Sequence, residues 1–126
     1  MTYVTETSDA SGESREQDWP EECYAAEPND IITELLAAKI DHVISVPDYV
    51  QISLHKKLKE TDGLKSVFCA TEDEAIAVAV GLHISGHRSV VVIQNQGLFA
   101  AVNAIRAAGL DAEMPVFMLV GEFVSI

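Results

Sequence analysis

The chain has 126 residues, 20 acidic side chains against 8 Lys and Arg, a formal net charge of −12, and 48% hydrophobic residues of which few are aromatic. That length holds one domain, and an apolar fraction rich in Ala, Val and Ile fits an α/β core. Nine acids against a single Arg place −8 of the charge in residues 1–30 and leave −4 on the remainder, a balance that argues against nucleic acid as a partner.

No apolar run approaches the roughly 18 residues of a membrane span, and the N-terminus lacks the basic and apolar regions of a signal peptide, so no membrane association and a cytoplasmic location are expected. Cys23 and Cys69 have neither CxxC nor Cys/His spacing; they read as reduced thiols, and no metal-ligand set is read from the spacing. Residues 1–29, rich in Ser, Glu, Asp and Thr without periodicity, are expected to form an acidic, disordered tail. Its one apolar point, Trp19-Pro20, is either an anchor on a neighbour or a lone exposed aromatic.

The domain is expected over residues 30–126. Its first helix starts near Asn29 or Asp30 with Ile31, Leu35 and Leu36 buried, and leads into a strand over His42–Val46. Pro47-Asp48 ends that strand, and Tyr49–Glu60 is a helix with Val50, Leu54 and Leu58 inward and Lys56, Lys57 and Lys59 in water. Asp62-Gly63 turns into a second strand at Val67–Ala70. Thr71-Glu72-Asp73-Glu74 then opens a helix: Thr71 and Glu74 have the form of a capping box, and Asp73 suits the positive end of the helix dipole. Glu72 is the acid left over, at the carboxyl end of a parallel strand, where open α/β sheets gather ligands. Gly86 closes this helix; Ser89–Ile93 is a strand, Gln94-Asn95-Gln96-Gly97 a loop, Leu98–Ala108 a helix ended by Gly109, and Val116–Val120 a fourth strand. Four short apolar strands separated by helices imply a parallel sheet with helices on both faces.

Glu72, Gly81 nine residues later, and the run SVVVIQNQGLFAAVNAI together carry a resemblance. From about Ile31 to Phe123 the chain is similar to the pyrimidine-binding domain of thiamine-diphosphate enzymes. Within that superfamily it most resembles the sulfopyruvate decarboxylase α subunit and phosphonopyruvate decarboxylase, whose pattern is approximately REEE…G…QNSGLGNSINAL. The resemblance implies the thiamine-diphosphate-binding fold, apparently truncated at the C-terminus, because the relatives continue with further strands; a partner completing the sheet is the other reading.

It implies thiamine diphosphate as cofactor, with Glu72 as its catalytic and binding carboxylate against N1′ of the aminopyrimidine. Asn95 and Gly97 are then cofactor-binding, Gln94 substrate-binding, and Asp48 a group for proton transfer or substrate positioning. Each has a local alternative: Glu72 as a dipole acid, Asp48 as N-cap of the helix at Tyr49, and Gln94–Gly97 as a turn satisfied by its own side chains. Asn103 is expected to hydrogen-bond back to that loop, and His55, His83, His87 and Arg88 to lie on the surface. The GDG…N element that holds Mg²⁺ and the diphosphate in the family is not in the chain, so a β subunit carrying it, and a hetero-oligomer, are implied.

The implied activity is a 2-oxo acid decarboxylase converting 3-sulfopyruvate or phosphonopyruvate to an aldehyde and CO₂, the former a step of coenzyme M biosynthesis. A non-catalytic pairing domain and an acetolactate-synthase-like enzyme are the alternatives. Two departures bear on the substrate: Thr71 replaces the usual Arg before the Glu, weakening the case for a dianion, and Phe99 replaces the second glycine, expected to narrow the loop or shield the cofactor.

Overall fold

Val43 and Ile44 are fully buried neighbours that point to opposite faces of one strand, as do Val90 to Ile93 along another. A strand buried on both faces needs a layer of helices on each, and the computed structural model, which describes residues 26–122, has that arrangement. The strands are β1 (His42–Ser45), β2 (Lys65–Phe68), β3 (Ser89–Gln94) and β4 (Met118–Gly121). They form one parallel sheet in the order β2-β1-β3-β4. The helices are α1 (Pro28–Ala37), α2 (Ile52–Lys59), α3 (Glu72–Ile84), α4 (Asn95–Ala100) and α5 (Val102–Arg106), the last running into a π-helical turn, Ala107–Asp111.

On one face Ile32 and Leu35 of α1 and Leu54 and Leu58 of α2 pack on Val43, Val90 and Val92. On the other, Ala75, Ile76 and Ala79 of α3, with Ala101 and Ala108, cover Ile44, Val91 and Ile93. The small alanines let α3 approach the sheet closely. The expected doubly covered parallel sheet is therefore present, and no helix among the described residues is long and apolar enough to cross a membrane.

Several boundaries differ from the sequence reading. Helix α1 begins at Pro28, whose missing N–H is no loss in a first turn, and Ile32 rather than Leu36 takes the buried position. The second strand lies two residues earlier than expected, because Lys65 to Phe68 register against His42 to Ser45. Helix α2 starts at Ile52 instead of Tyr49, and Tyr49 is exposed. The expected loop Gln94–Gly97 is instead the end of β3 and the first turn of α4. Gly109 does not end the last helix: the π turn carries on to Asp111. Gly86, with φ of 84°, does close α3 in the left-handed conformation that glycine adopts freely. The expected disorder of the acidic tail, the Trp19 anchor and the reading of Cys23 concern residues outside those described.

Candidate functional site

The strand order places β1 and β3 side by side at the centre, with β1 leading outward to β2 and β3 leading outward to β4. Between their carboxyl ends the chain directions diverge and open a crevice, the usual ligand position of an open α/β sheet. The candidate residues gather along this rim in two groups, one on each face.

The first group joins Glu72 to Gly97. Glu72 is the first residue of α3 and half-buried; Gly97 is buried in the first turn of α4. A Cβ placed on Gly97 would lie 2.5 Å from Glu72 Cδ and 2.6 Å from its Cγ, so the Glu72 carboxylate occupies the space that a side chain at position 97 would take. Glu72 is thus seated rather than waving in solvent as a plain first-turn acid. Its neighbours do other work. The Glu74 carboxylate accepts a hydrogen bond from the Ala70 N–H at 2.8 Å, one residue earlier than a capping box requires. Thr71 makes no side-chain cap. Its hydroxyl serves Asp73 instead, whose carboxyl is held below its ordinary range first by that hydrogen bond and then by the backbone amides of Glu74 and Asp73.

The second group surrounds Asp48, whose side chain is only 5% exposed. Asp48 does not cap a helix at Tyr49; its Oδ1 accepts from the Gln51 N–H at 2.8 Å, closing the turn that precedes α2. Gln51 reaches across the crevice and donates from Nε2 to the Ile93 carbonyl at 2.7 Å. It passes so close to Gly121 that a Cβ there would stand 2.7 Å from Nε2. The Asp48 turn is therefore tied to the ends of β3 and β4. His55, expected on the surface, is buried with Nε2 3.7 Å from Asp48 Oδ2, beyond hydrogen-bond reach, and that nitrogen has no protein partner among the described residues. A cavity of about 530 Å³ opens here, lined by Pro47, Asp48, Tyr49, His55, Lys56 and Lys59.

Gln94 ends β3 and Asn95 begins α4, both half-buried on the same rim. Asn103 does not return to this turn: its Oδ1 accepts from Arg106 Nε at 3.2 Å on the exposed side of α5. Phe99 does not narrow the turn either, being 75% exposed. Gly81 has no neighbour that a Cβ would meet, and nothing in the structure explains it. Gln51 went unnoticed in the sequence, and His55 was assigned to the surface. Their signal was helical spacing, since Gln51, His55 and Leu58 lie at i, i+4 and i+7 on the stripe that Leu54 also marks.

The sequence profile of one protein family, described as thiamine pyrophosphate enzyme, N-terminal TPP binding domain, matches residues 28–123. The chain belongs to that family. Among curated proteins, this TPP-binding domain is 24% identical over 90 residues to the sulfopyruvate decarboxylase subunit alpha of Methanocaldococcus jannaschii, covering 71% of the chain and 53% of that protein. It is 28% identical over 83 residues to the same-named subunit of Methanothermobacter thermautotrophicus, covering 66% of the chain and 50% of that protein. The domain thus spans about half the length of the curated relatives it matches. Among solved structures, a thiamin diphosphate-dependent enzyme isolated from Mycobacterium smegmatis superposes with a TM-score of 0.63 at 21% identity, over 76% of this chain and 18% of that one, a likeness of fold.

The residues on the rim fit the aminopyrimidine end of the family's cofactor. A carboxylate fixed against a bare glycine at a helix start offers one oriented acceptor for a ring N–H.

Proposed function

We propose that this domain is the pyrimidine-binding part, the α subunit, of a thiamine-diphosphate-dependent 2-oxo acid decarboxylase acting on 3-sulfopyruvate or a similarly short anionic 2-oxo acid such as phosphonopyruvate. The observation that carries the reading is the Glu72 carboxylate held against Gly97 at the sheet's carboxyl rim. Bound thiamine diphosphate supplies a carbon nucleophile and electron sink for cleaving the bond to the substrate carboxylate. Glu72 holds the aminopyrimidine through N1′ and shares its proton, and Gly97 and Asn95 line the ring's approach.

Asp48 carries or positions a proton near the reacting carbon, and Gln94 orients the substrate. His55 adds a second proton-carrying group, because its buried Nε2, 3.7 Å from Asp48 Oδ2, has no hydrogen-bond partner among the described residues. Lys56 and Lys59 at the cavity mouth suit an anionic substrate and supply the positive charge that the family's Arg at position 71 would have given. Mg²⁺ and the diphosphate are held by a β subunit with the GDG…N element. The exposed Phe99 of α4 and Val102 of α5 favour such a covering chain.

The test is decarboxylation of 3-sulfopyruvate, phosphonopyruvate and pyruvate by the chain alone and co-expressed with its GDG…N partner. Turnover is expected only in the assembled pair and only with the sulfonate or phosphonate. Turnover by the isolated chain, or preference for pyruvate, overturns the split site or the substrate class respectively.

A further inference from the structure

At the opposite, amino-terminal end of the sheet, where β1 and β3 begin side by side, three side chains converge. Asp41 lies between two imidazoles: Oδ1 is 2.8 Å from Nδ1 of His42, and Oδ2 is 2.9 Å from Nδ1 of His87. The rings pack edge to face with centroids 4.6 Å apart and planes at 66°, and both present Nδ1 to the one carboxylate. One ligand atom from each of the three residues lies within 4.8 Å of the other two. We propose that Asp41, His42 and His87 form a binding site for a divalent transition cation of the Zn²⁺ class, which clamps the start of β1 to the loop before β3.

Two imidazole nitrogens and one carboxylate oxygen make a three-ligand set with which proteins hold Zn²⁺ while leaving a further position open. Around a tetrahedral ion with bonds of about 2.0–2.2 Å the ligand atoms stand about 3.4 Å apart. The two nitrogen–oxygen spacings of 2.8 and 2.9 Å therefore need to open by about half an ångström, while the remaining ligand-atom spacings, within 4.8 Å, close toward the same value. A bound cation replaces the present Nδ1–carboxylate contacts, each ring then coordinating through Nδ1 as the neutral tautomer with its proton on Nε2.

The carboxylate is aimed by contacts on both of its oxygens. The Arg88 N–H donates to Oδ1 at 3.1 Å, the kind of outer contact that orients a metal ligand. The Arg88 side chain is directed away, its Nε bonding the Ala38 carbonyl at 3.1 Å. A cation has access, because Asp41 and His87 are close to half exposed while His42 supplies a fixed inner wall.

The experiment strips the full-length chain with a chelator, then measures Zn²⁺ affinity by competition with a chromophoric chelator and ligand type by Co²⁺ absorption. The expected result is one equivalent bound at micromolar affinity or tighter, nitrogen and oxygen ligation, and a melting temperature that rises with Zn²⁺. Removing even an outer partner of a metal ligand costs about 10–100-fold in affinity, so His87→Ala and Asp41→Asn should each weaken binding at least that much. His83→Ala, a nearby imidazole outside the cluster, should leave it unchanged. Both informative substitutions are at accessible positions, so folding, checked by melting in metal-free buffer, is retained where His42→Ala could lose it. Binding no tighter than millimolar, wild-type affinity in His87→Ala, or a thiolate charge-transfer band with Co²⁺ overturns the proposal.

Discussion

Gly97→Ala separates the seating of Glu72 from the stability of the fold. The three nearest atoms that the new methyl would meet all belong to Glu72, with Cδ at 2.5 Å and Cγ at 2.6 Å, so the overlap is relieved by swinging that one side chain away. Forcing it off its preferred rotamer costs about 0.5–1.5 kcal/mol. Replacing a helical glycine by alanine returns about 0.5–1 kcal/mol in backbone entropy. The two nearly offset, and because about 1 kcal/mol moves the melting temperature of a domain this size by roughly 4–8 °C, calorimetry should find a change of no more than that. Activity should respond differently: a displaced proton-sharing carboxylate costs about 10²–10⁴-fold in turnover of the assembled enzyme. Near-wild-type turnover in Gly97→Ala would refute the reasoning, because the carboxylate would then have no need of its seat. A melting temperature lowered by tens of degrees would show that Gly97 serves the fold instead.

Thr71→Ala should change stability by no more than about 0.5 kcal/mol in a denaturant titration, because Thr71 makes no helix cap, whereas loss of a working cap costs about 0.5–2 kcal/mol. Asp41, with its folded pKa lowered from 3.8 to about 2, contributes stability that is present above its unfolded pKa and lost as pH falls from about 4 to 2. Since its side chain is 45% exposed, screening holds that contribution below about 1 kcal/mol, and melts in metal-free buffer should show it in the wild type and not in Asp41→Asn. Burial pushes the Cys69 thiol up, with a smaller push from the Glu74 charge, so alkylation of Cys69 at neutral pH should be slow in the native chain and rapid in denaturant.

The sheet was legible because His42–Ser45 and Ser89–Gln94 are apolar runs too short for buried helices and bounded by turn residues, and because the intervening segments have helical spacing. The rim was legible through Glu72 and Gly97, both assigned to the cofactor by the family pattern; their contact across 25 positions was not, and it lies in the space a missing side chain leaves. What sequence could not supply were contacts set by packing geometry. Gln51 spans from the end of β1 to the end of β3 only because those strands are neighbours, and His55 is buried only because α2 turns that side toward Asp48. A strong local pattern was also overridden: Thr71 and Glu74 have capping-box spacing, yet Thr71 bonds Asp73 and Glu74 reaches Ala70. The Asp41 cluster joins residues 46 positions apart, a distance at which no ligand spacing is readable.

The central claim, that Glu72 is the carboxylate serving the cofactor, is tested most directly by comparing Glu72→Gln and Glu74→Gln in the chain assembled with its GDG…N partner, measuring turnover of 3-sulfopyruvate alongside thermal stability. Both amides fit their positions: Glu72 sits at a helix start facing the crevice, and a Gln at 74 can still accept from the Ala70 N–H. The account predicts wild-type melting for both, turnover lowered by about 10²–10⁴-fold for Glu72→Gln, and turnover near wild type for Glu74→Gln. Full turnover in Glu72→Gln together with its loss in Glu74→Gln would contradict the account and move the catalytic role one pair of residues along α3.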